Sequence, residues 1–257
     1  MHPIEENLEI DIEDIKSHFP IFRNNEITYL DSAASAQKPN SVINCIQDVY
    51  SSSYANVHRG VYTLSQVATD KYEESREIVK NFLNAKSSKE IIFVRGATEA
   101  INLVAQSVAT LLLSEGDEII LSRLEHHSNI VPWQIVYEKT GAKIKIAEAN
   151  DDGNIPLEAV TDLINSKTKF ISITHVSNAI GTILPVKEIC LEAKSRGIYT
   201  LVDGCQAVPQ MPVDVLDIGC DFYVFSGHKT YGPSGVGVLY GKEELLEKAP
   251  PYQSGGD

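Results

Sequence analysis

Short runs of β-branched and aromatic residues alternate along most of the chain with longer stretches in which apolar residues recur at helical spacing. The runs at 91–94, 118–121, 170–173, 199–202 and 222–225 predict strands. Between them, 98–113, 128–140, 156–166 and 186–196 are long enough for three or more helical turns. Regular strand–helix alternation implies right-handed crossovers and a mainly parallel sheet covered on both faces. A further run, Val236-Gly237-Val238-Leu239-Tyr240, follows the preceding strand through a short Gly/Pro-rich link and is expected to be antiparallel or at an edge. Before residue 90 the pattern changes. Two helical stretches, 40–54 and 64–84, come without intervening strands. The second reads as an amphipathic outer helix, with Val67, Ile78, Val79, Phe82 and Leu83 apolar among acidic and basic positions.

Composition supports a folded α/β chain. Of 257 residues 43% are hydrophobic and 22% charged, which excludes disorder, and the length suits one to two domains. The net charge of −13 argues against nucleic acid or an acidic membrane surface as partner, although a local pocket can still hold a small phosphorylated ligand. Four cysteines, Cys45, Cys190, Cys205 and Cys220, are widely spaced with no Cys-x-x-Cys pair, so neither zinc nor a disulfide framework is indicated and a reduced, cytoplasmic setting is expected. Cys45, Cys190 and Cys220 read as core residues. Met1 to Glu6 has no basic region leading into an apolar run, and no stretch approaches the 18 apolar residues of a membrane span. The loop-like ending, 249–257, closes no element and suggests a piece of a longer protein.

In a parallel α/β sheet ligands sit beyond the carboxyl ends of the strands, so the residues after each strand are the candidates for chemistry. Arg95-Gly96-Ala97-Thr98-Glu99 opens a helix after 91–94; it suits a phosphate, or Thr98 is a plain cap. Glu125-His126-His127-Ser128-Asn129 offers a ring to stack on a ligand or a proton shuttle, or simply loop histidines; the spacing is wrong for a metal pair. His175-Val176-Ser177-Asn178 follows 170–173. Asp203-Gly204-Cys205-Gln206 follows 199–202, where an Asp is also a common turn residue. Ser226-Gly227-His228-Lys229-Thr230 follows 222–225 and places a lysine where a surface lysine is not expected. Two nucleotide motifs fail: His228 breaks the Gly-Lys-Ser/Thr of a P-loop, and Gly232, Gly235 and Gly237 have dinucleotide glycines in reversed spacing and lead into a strand. Together, a strand-end Asp, a strand-end Lys, a phosphate-cup helix start and a stacking His match what pyridoxal phosphate requires: an amine for its aldehyde, an acid for its ring nitrogen and a helix N-terminus for its phosphate.

The segments Tyr29-Leu30-Asp31-Ser32-Ala33-Ala34-Ser35, Val57-His58-Arg59-Gly60, 95–102, 125–133, 202–207 and 225–233 run nearly end to end. In them the chain closely resembles pyridoxal-phosphate-dependent cysteine desulfurases of the SufS-like group, within the class-V aminotransferase superfamily. The resemblance implies a type I PLP-dependent transferase fold with a seven-stranded-type, mainly parallel sheet flanked by helices. It implies an N-terminal arm of a small domain over 1–30, a large cofactor domain over 31–257, and a C-terminal small domain outside this chain. By the same resemblance Lys229 bonds the cofactor and moves the substrate α-proton, and Asp203 pairs with the ring nitrogen. Gln206 would bond the phenolic oxygen, and His126 would stack on the ring and transfer protons. Ala97, Thr98, Ser226 and His228 belong to the phosphate side, while Asn178 and Ala33 lie toward the substrate carboxylate. The implied reaction converts L-cysteine to L-alanine, with sulfur passing to an enzyme persulfide and on to an acceptor protein of iron–sulfur assembly. L-selenocysteine lyase or another class-V lyase is the alternative, and a non-catalytic scaffold comes last because Lys229 and Asp203 are both present. A homodimer is implied. Two departures stand out: the persulfide cysteine and the carboxylate-gripping arginine of the family fall in the C-terminal region, and Ala97 replaces a frequent hydroxyl residue. Cys205 reads as packing, not as the sulfur acceptor.

Overall fold

The computed structural model describes residues 11–255. The expectations placed on Met1 to Glu6, on the first ten residues of the 1–30 arm and on Gly256 and Asp257 lie outside them. Seven strands form one sheet: β1 (Ile91–Val94), β2 (Glu118–Ser122), β3 (Lys143–Ala147), β4 (Thr168–Thr174), β5 (Tyr199–Asp203), β6 (Phe222–Ser226) and β7 (Gly237–Gly241). Their order is β1-β7-β6-β5-β4-β2-β3, and every pairing is parallel except those of β7 with β1 and β6. The run around 236–240 is therefore antiparallel, as expected, but it lies inside the sheet. Its short link returns the chain beside β6, and β1 then covers its other side.

Successive side chains of a strand point to opposite faces, so a sheet covered twice needs apolar residues in both registers. Ile119, Leu121, Phe170, Leu201, Phe222, Val224 and Leu239 belong to one buried cluster; their neighbours Ile120, Ile171, Val202, Tyr223, Phe225 and Val238 belong to the other. The first cluster is closed by the helical segments spanning Ala97–Leu112 and by Val131–Thr140, whose Trp133 packs on Phe170 with ring centroids 4.8 Å apart. The second is closed mainly by Val186–Ser195. The expected helix at 98–113 loosens to π pitch over Val104–Ala109, and the one at 156–166 shortens to Leu157–Thr161 before turns.

Three expectations are corrected. Strand β3 was not anticipated: Lys143-Ile144-Lys145-Ile146 alternates charge with apolar residues, the pattern of an edge strand whose lysines discourage further pairing. Cys45 is exposed, because no residue of its helix, Asn40–Asp48, is buried; Cys190, Cys205 and Cys220 are buried. Within helix Thr63–Phe82 the apolar face is largely uncovered. Val67, Ile78 and Phe82 are exposed, and the one buried residue is Ser65, whose Oγ donates to the Asn56 carbonyl at 2.6 Å and accepts from Gly60 N at 3.0 Å. The helix reaches the sheet through Tyr72 and Arg76, which pack on Phe93 of β1, and through Val79 and the adjoining Leu83.

Candidate active site

The carboxyl ends of β1, β2, β4, β5 and β6 all open toward one cavity of about 470 Å³. Ala97, Thr98, His126, Asn178, Asp203, Gln206, Ser226, His228 and Lys229 all line it, as does Ala33. Residues 95 to 229 thus converge because parallel strands deliver their following loops to the same edge. The reading from sequence did not assign Asp31, Ser128 and Thr174, which also line the cavity. Their signal was position alone: Thr174 ends β4, and Ser128 lies two residues from His126.

Asp203 is the last residue of β5 and is buried. Its Oδ1 accepts the Cys205 N–H at 3.0 Å. The turn beneath it is tight: a Cβ on Gly204 would fall 2.0 Å from the ring of Tyr223, so only glycine fits there. Tyr223 Oη is in turn paired with His175 Nδ1 at 2.9 Å, and burial pushes that imidazole down to about 4. Lys229 comes from the single turn Gly227–Lys229 that follows β6, and its ammonium forms no hydrogen bond or ion pair among the described residues. A partly buried amine without a partner, in the same cavity as a buried carboxylate, is available to bond a ligand.

On the side of β1, Ser226 Oγ accepts the Ala97 N–H at 2.9 Å. This contact requires the start of β7 to press close, since a Cβ on Gly237 would lie 2.5 Å from the Gly96 Cα. Gly96, the residue before the helix that begins at Ala97, brings no side chain to cap it, and Ser226 takes only the Ala97 N–H, so the other first-turn N–H groups have no capping side chain. Thr98, Ser226 and His228 also line an adjoining open cavity of about 660 Å³. The His228 carbonyl accepts from Ala36 N at 3.0 Å and from Lys38 Nζ at 2.9 Å, fastening the 31–38 loop to the cavity. Gln206 Nε2 donates to the Ala33 carbonyl at 2.6 Å, so one amide proton is held by that same loop.

His126 stands exposed at the mouth. Its Nδ1 accepts the backbone N–H of Ser128 at 3.2 Å and lies 2.8 Å from Ser128 Oγ. A ring nitrogen that accepts from a backbone amide carries no proton, so neutral His126 holds its proton on Nε2. Desolvation first, then the charge of Lys229, keeps its pKa below the usual histidine range. The residue is therefore a neutral Nε2–H donor near pH 7. Cys205, beside Ser226 at 3.8 Å, is buried, and burial first and the nearby Asp203 second raise its pKa well above the thiol range. A thiol held protonated is a poor nucleophile, which agrees with its reading as packing.

Comparison with known proteins follows this geometry. Residues 28–257 match the family model described as aminotransferase class-V. The chain is 47% identical over 249 residues to a cysteine desulfurase of Pectobacterium atrosepticum and 50% identical over 248 residues to a probable cysteine desulfurase of Halalkalibacterium halodurans. Each match covers 95% of this chain and 61% of the relative, so the chain spans about three-fifths of the length of these curated relatives. Among solved structures, a cysteine desulfurase of Escherichia coli superposes with a TM-score of 0.88 at 41% identity, covering 96% of this chain and 62% of that one. The apo cysteine desulfurase of Thermococcus onnurineus gives 0.90 at 39% identity, covering 95% and 60%. With its sheet order, its strand-end cavity and a family match over all but its first 27 residues, the chain belongs to the class-V aminotransferases, a family of pyridoxal-phosphate-dependent enzymes.

Proposed function

We propose that this chain is the cofactor-binding part of a cysteine desulfurase. The observation that carries the reading is the pairing, in one cavity, of the unpartnered Lys229 ammonium with the buried Asp203 carboxylate. The residues fit pyridoxal phosphate by the chemistry of their donors. Lys229 supplies the amine for its aldehyde, and Asp203 the anion for its ring nitrogen. The uncapped helix start at Ala97–Thr98, with Ser226 and His228, supplies donors for its phosphate. His126 would stack on the ring and Gln206 would bond the phenolic oxygen. When bound, the cofactor would withdraw electrons from the substrate Cα. The protein's own part would be to hold and move protons: Lys229 would take and return the α-proton, and His126 would deliver one from Nε2. Asn178, exposed at the rim, and Ala33 border the substrate side.

The overall reaction balances without an oxidant: L-cysteine and an enzyme thiol give L-alanine and an enzyme persulfide. The thiol in this proposal is supplied from outside the described residues, because burial holds Cys205 and Cys220 protonated, Cys190 is buried with its pKa pushed up to about 12, and Cys45 does not line the cavity. An acceptor protein of iron–sulfur assembly then takes the persulfide sulfur. The division into an arm over 1–30 and a cofactor domain over 31–257 is part of the proposal. A homodimer belongs to the same proposal, supported by the exposed apolar residues Leu30, Val61, Ile78 and Phe82. Among the described residues no helix is long and apolar enough to cross a membrane.

The test is the visible absorbance of the purified chain with pyridoxal phosphate, beside Lys229→Ala. A band of lysine-bound cofactor in the parent, absent from the variant, supports the reading. No band in either overturns the site assignment for this chain. Alanine release from L-cysteine and from L-selenocysteine, measured with an added thiol acceptor, separates desulfurase from selenocysteine lyase.

A further inference from the structure

Behind His126 lies a buried polar network that the proposed chemistry does not use. Glu125 is buried, and both of its oxygens are occupied by donors. Oε1 accepts from Ser122 Oγ at 2.5 Å and from the Thr174 backbone N–H at 2.8 Å; Oε2 accepts from Asn129 Nδ2 at 2.6 Å. Asn129 Oδ1 accepts from Ser172 Oγ at 2.6 Å and from Trp133 Nε1 at 3.0 Å. Ser122, Asn129, Trp133, Ser172 and Thr174 are buried as well. Four residues from β2, β4 and the helix Val131–Thr140 therefore fasten the 123–130 loop to the end of β4, through Glu125 and Asn129 of the loop itself.

The topology explains why such an anchor is needed. In the sheet β4 separates β2 from β5. His126, which follows β2, must reach past β4 to share a cavity with Asp203 at the end of β5. Its neighbour Glu125 grips the Thr174 N–H, the last residue of β4, and Asn129 grips Ser172 one pleat earlier. The Ser128 N–H that fixes the proton of His126 on Nε2 lies between these two grips.

We propose that Glu125 is a positioning residue: through Thr174 and Asn129 it holds the 125–129 turn so that His126 faces the cavity as an Nε2–H donor. The inference deepens the proposed function, on which it rests for the use of His126 but not for its geometry. The polarity of the network makes it specific. Three donors converge on Glu125 and two on Asn129 Oδ1. In Glu125→Gln an amide NH2 therefore meets the NH2 of Asn129, and flipping Asn129 would only turn its NH2 toward Trp133 Nε1–H. In the double variant Glu125→Gln/Asn129→Asp the four remaining donors again find an oxygen, and the amide NH2 introduced at position 125 donates to the carboxylate now at position 129.

The experiment reads the two ring nitrogens of His126 by ¹⁵N NMR on the cofactor-free chain near pH 9, where Glu125, whose pKa burial raises to about 8, is a carboxylate. The absorbance band is recorded separately after pyridoxal phosphate is added. The parent should show one unprotonated Nδ1 and one protonated Nε2. Glu125→Gln should draw the two signals together as the tautomers mix and weaken cofactor binding about tenfold, as expected for an unsatisfied buried amide. The double variant should restore both readouts. Parental nitrogen signals in Glu125→Gln, or a folded double variant with mixed tautomers, overturn the proposal. If Glu125→Gln fails to fold by circular dichroism, the double variant carries the test alone. If neither folds, Ser122→Ala replaces them, with a partial approach of the two signals expected and unmoved signals overturning the proposal. A parent without an absorbance band defeats the proposed function but leaves the nitrogen readout to judge Glu125.

Discussion

Helices Val186–Ser195 and Thr63–Phe82 are both amphipathic in sequence, and the chain uses them in opposite ways. The shorter helix buries Val186, Ile189, Cys190 and Ala193 against the sheet, whereas the longer one buries Ser65 alone and leaves Ile78 60% and Phe82 56% exposed. An apolar stripe states that a face is suited to being covered; whether this chain supplies the cover depends on topology. Between β4 and β5 a crossover helix must lie on the sheet, so Val186–Ser195 has no other place to go. The longer helix precedes the first strand, belongs to no crossover and meets the sheet through Tyr72, Arg76 and Val79, while Val67, Ile78 and Phe82 stay exposed.

The largest contrast should come from the same substitution in the two settings. Phe170 is fully buried on β4 against Trp133, and Phe170→Ala should cost about 3–5 kcal/mol. Urea unfolding followed by tryptophan fluorescence measures this directly, since Trp133 is the chain's only tryptophan. A loss below about 1 kcal/mol would mean that the sheet core is far looser than its burial indicates.

Next in size is Gly204→Ala. The added methyl would lie 2.0 Å from the ring of Tyr223, which is itself fully buried and bonded to His175, so neither partner can yield cheaply. A loss of about 3 kcal/mol is expected. Because Asp203 precedes the strained residue, pyridoxal phosphate binding should weaken along with stability. Parental binding in a destabilised variant would separate the turn from the carboxylate it presents.

Titration of two buried groups gives an effect of about 2 kcal/mol. Burial raises the pKa of Glu125 to about 8, against the pull of Ser122, Asn129 and Thr174 and with some help from Asp203, while burial lowers His175 to about 4. Between about pH 4.5 and 8 the folded chain holds more protons at Glu125 than the unfolded one, so this group makes stability fall as pH rises. Between about pH 4 and 6.5 the unfolded chain holds more protons at His175, so that group makes stability rise with pH. The two oppose each other up to about pH 6.5, and above it Glu125 acts without that counterweight. Stability of the cofactor-free chain should therefore decline by about 2 kcal/mol from pH 6.5 to 8. Glu125→Gln should remove that decline; an unchanged slope in the variant would assign it to another group.

What the sequence made legible follows the same division. Six of the seven strands stand out as β-rich runs, five of them because both of their faces are buried. β3 escaped because an edge strand covered on one side spends alternate positions on lysine. The residues around the cavity were legible because parallel topology sends the residue after each strand to one edge, so Asp203, Lys229, His126 and Thr98 were found from position and chemistry together. Glu125 was not, although it adjoins His126. Its partner Thr174 lies 49 positions away and the Ser172 that donates to Asn129 lies 43 positions from it, and no local pattern indicates that a glutamate is buried under a donor from another strand. Cys45 and the face of helix Thr63–Phe82 show the reverse: a local apolar pattern indicates a face suited to cover, and the described residues do not fold a cover over either.

The smallest effect is expected on that uncovered face. Phe82→Ala removes a ring of the same size as that of Phe170, but from a position 56% exposed, so the stability of a single chain should change by no more than about 0.5 kcal/mol. Measured by urea unfolding across a range of protein concentrations, the result separates two situations. A small change at every concentration means that water faces Phe82 in solution, as it does in the isolated chain. A loss that grows with protein concentration means that a second copy covers the ring, because only a state stabilised by association gains with concentration. Light scattering on Phe82→Ala should then show weakened dimers. In that case the helix that departs from the pattern of Val186–Ser195 would prove to obey it, with the covering surface coming from another subunit.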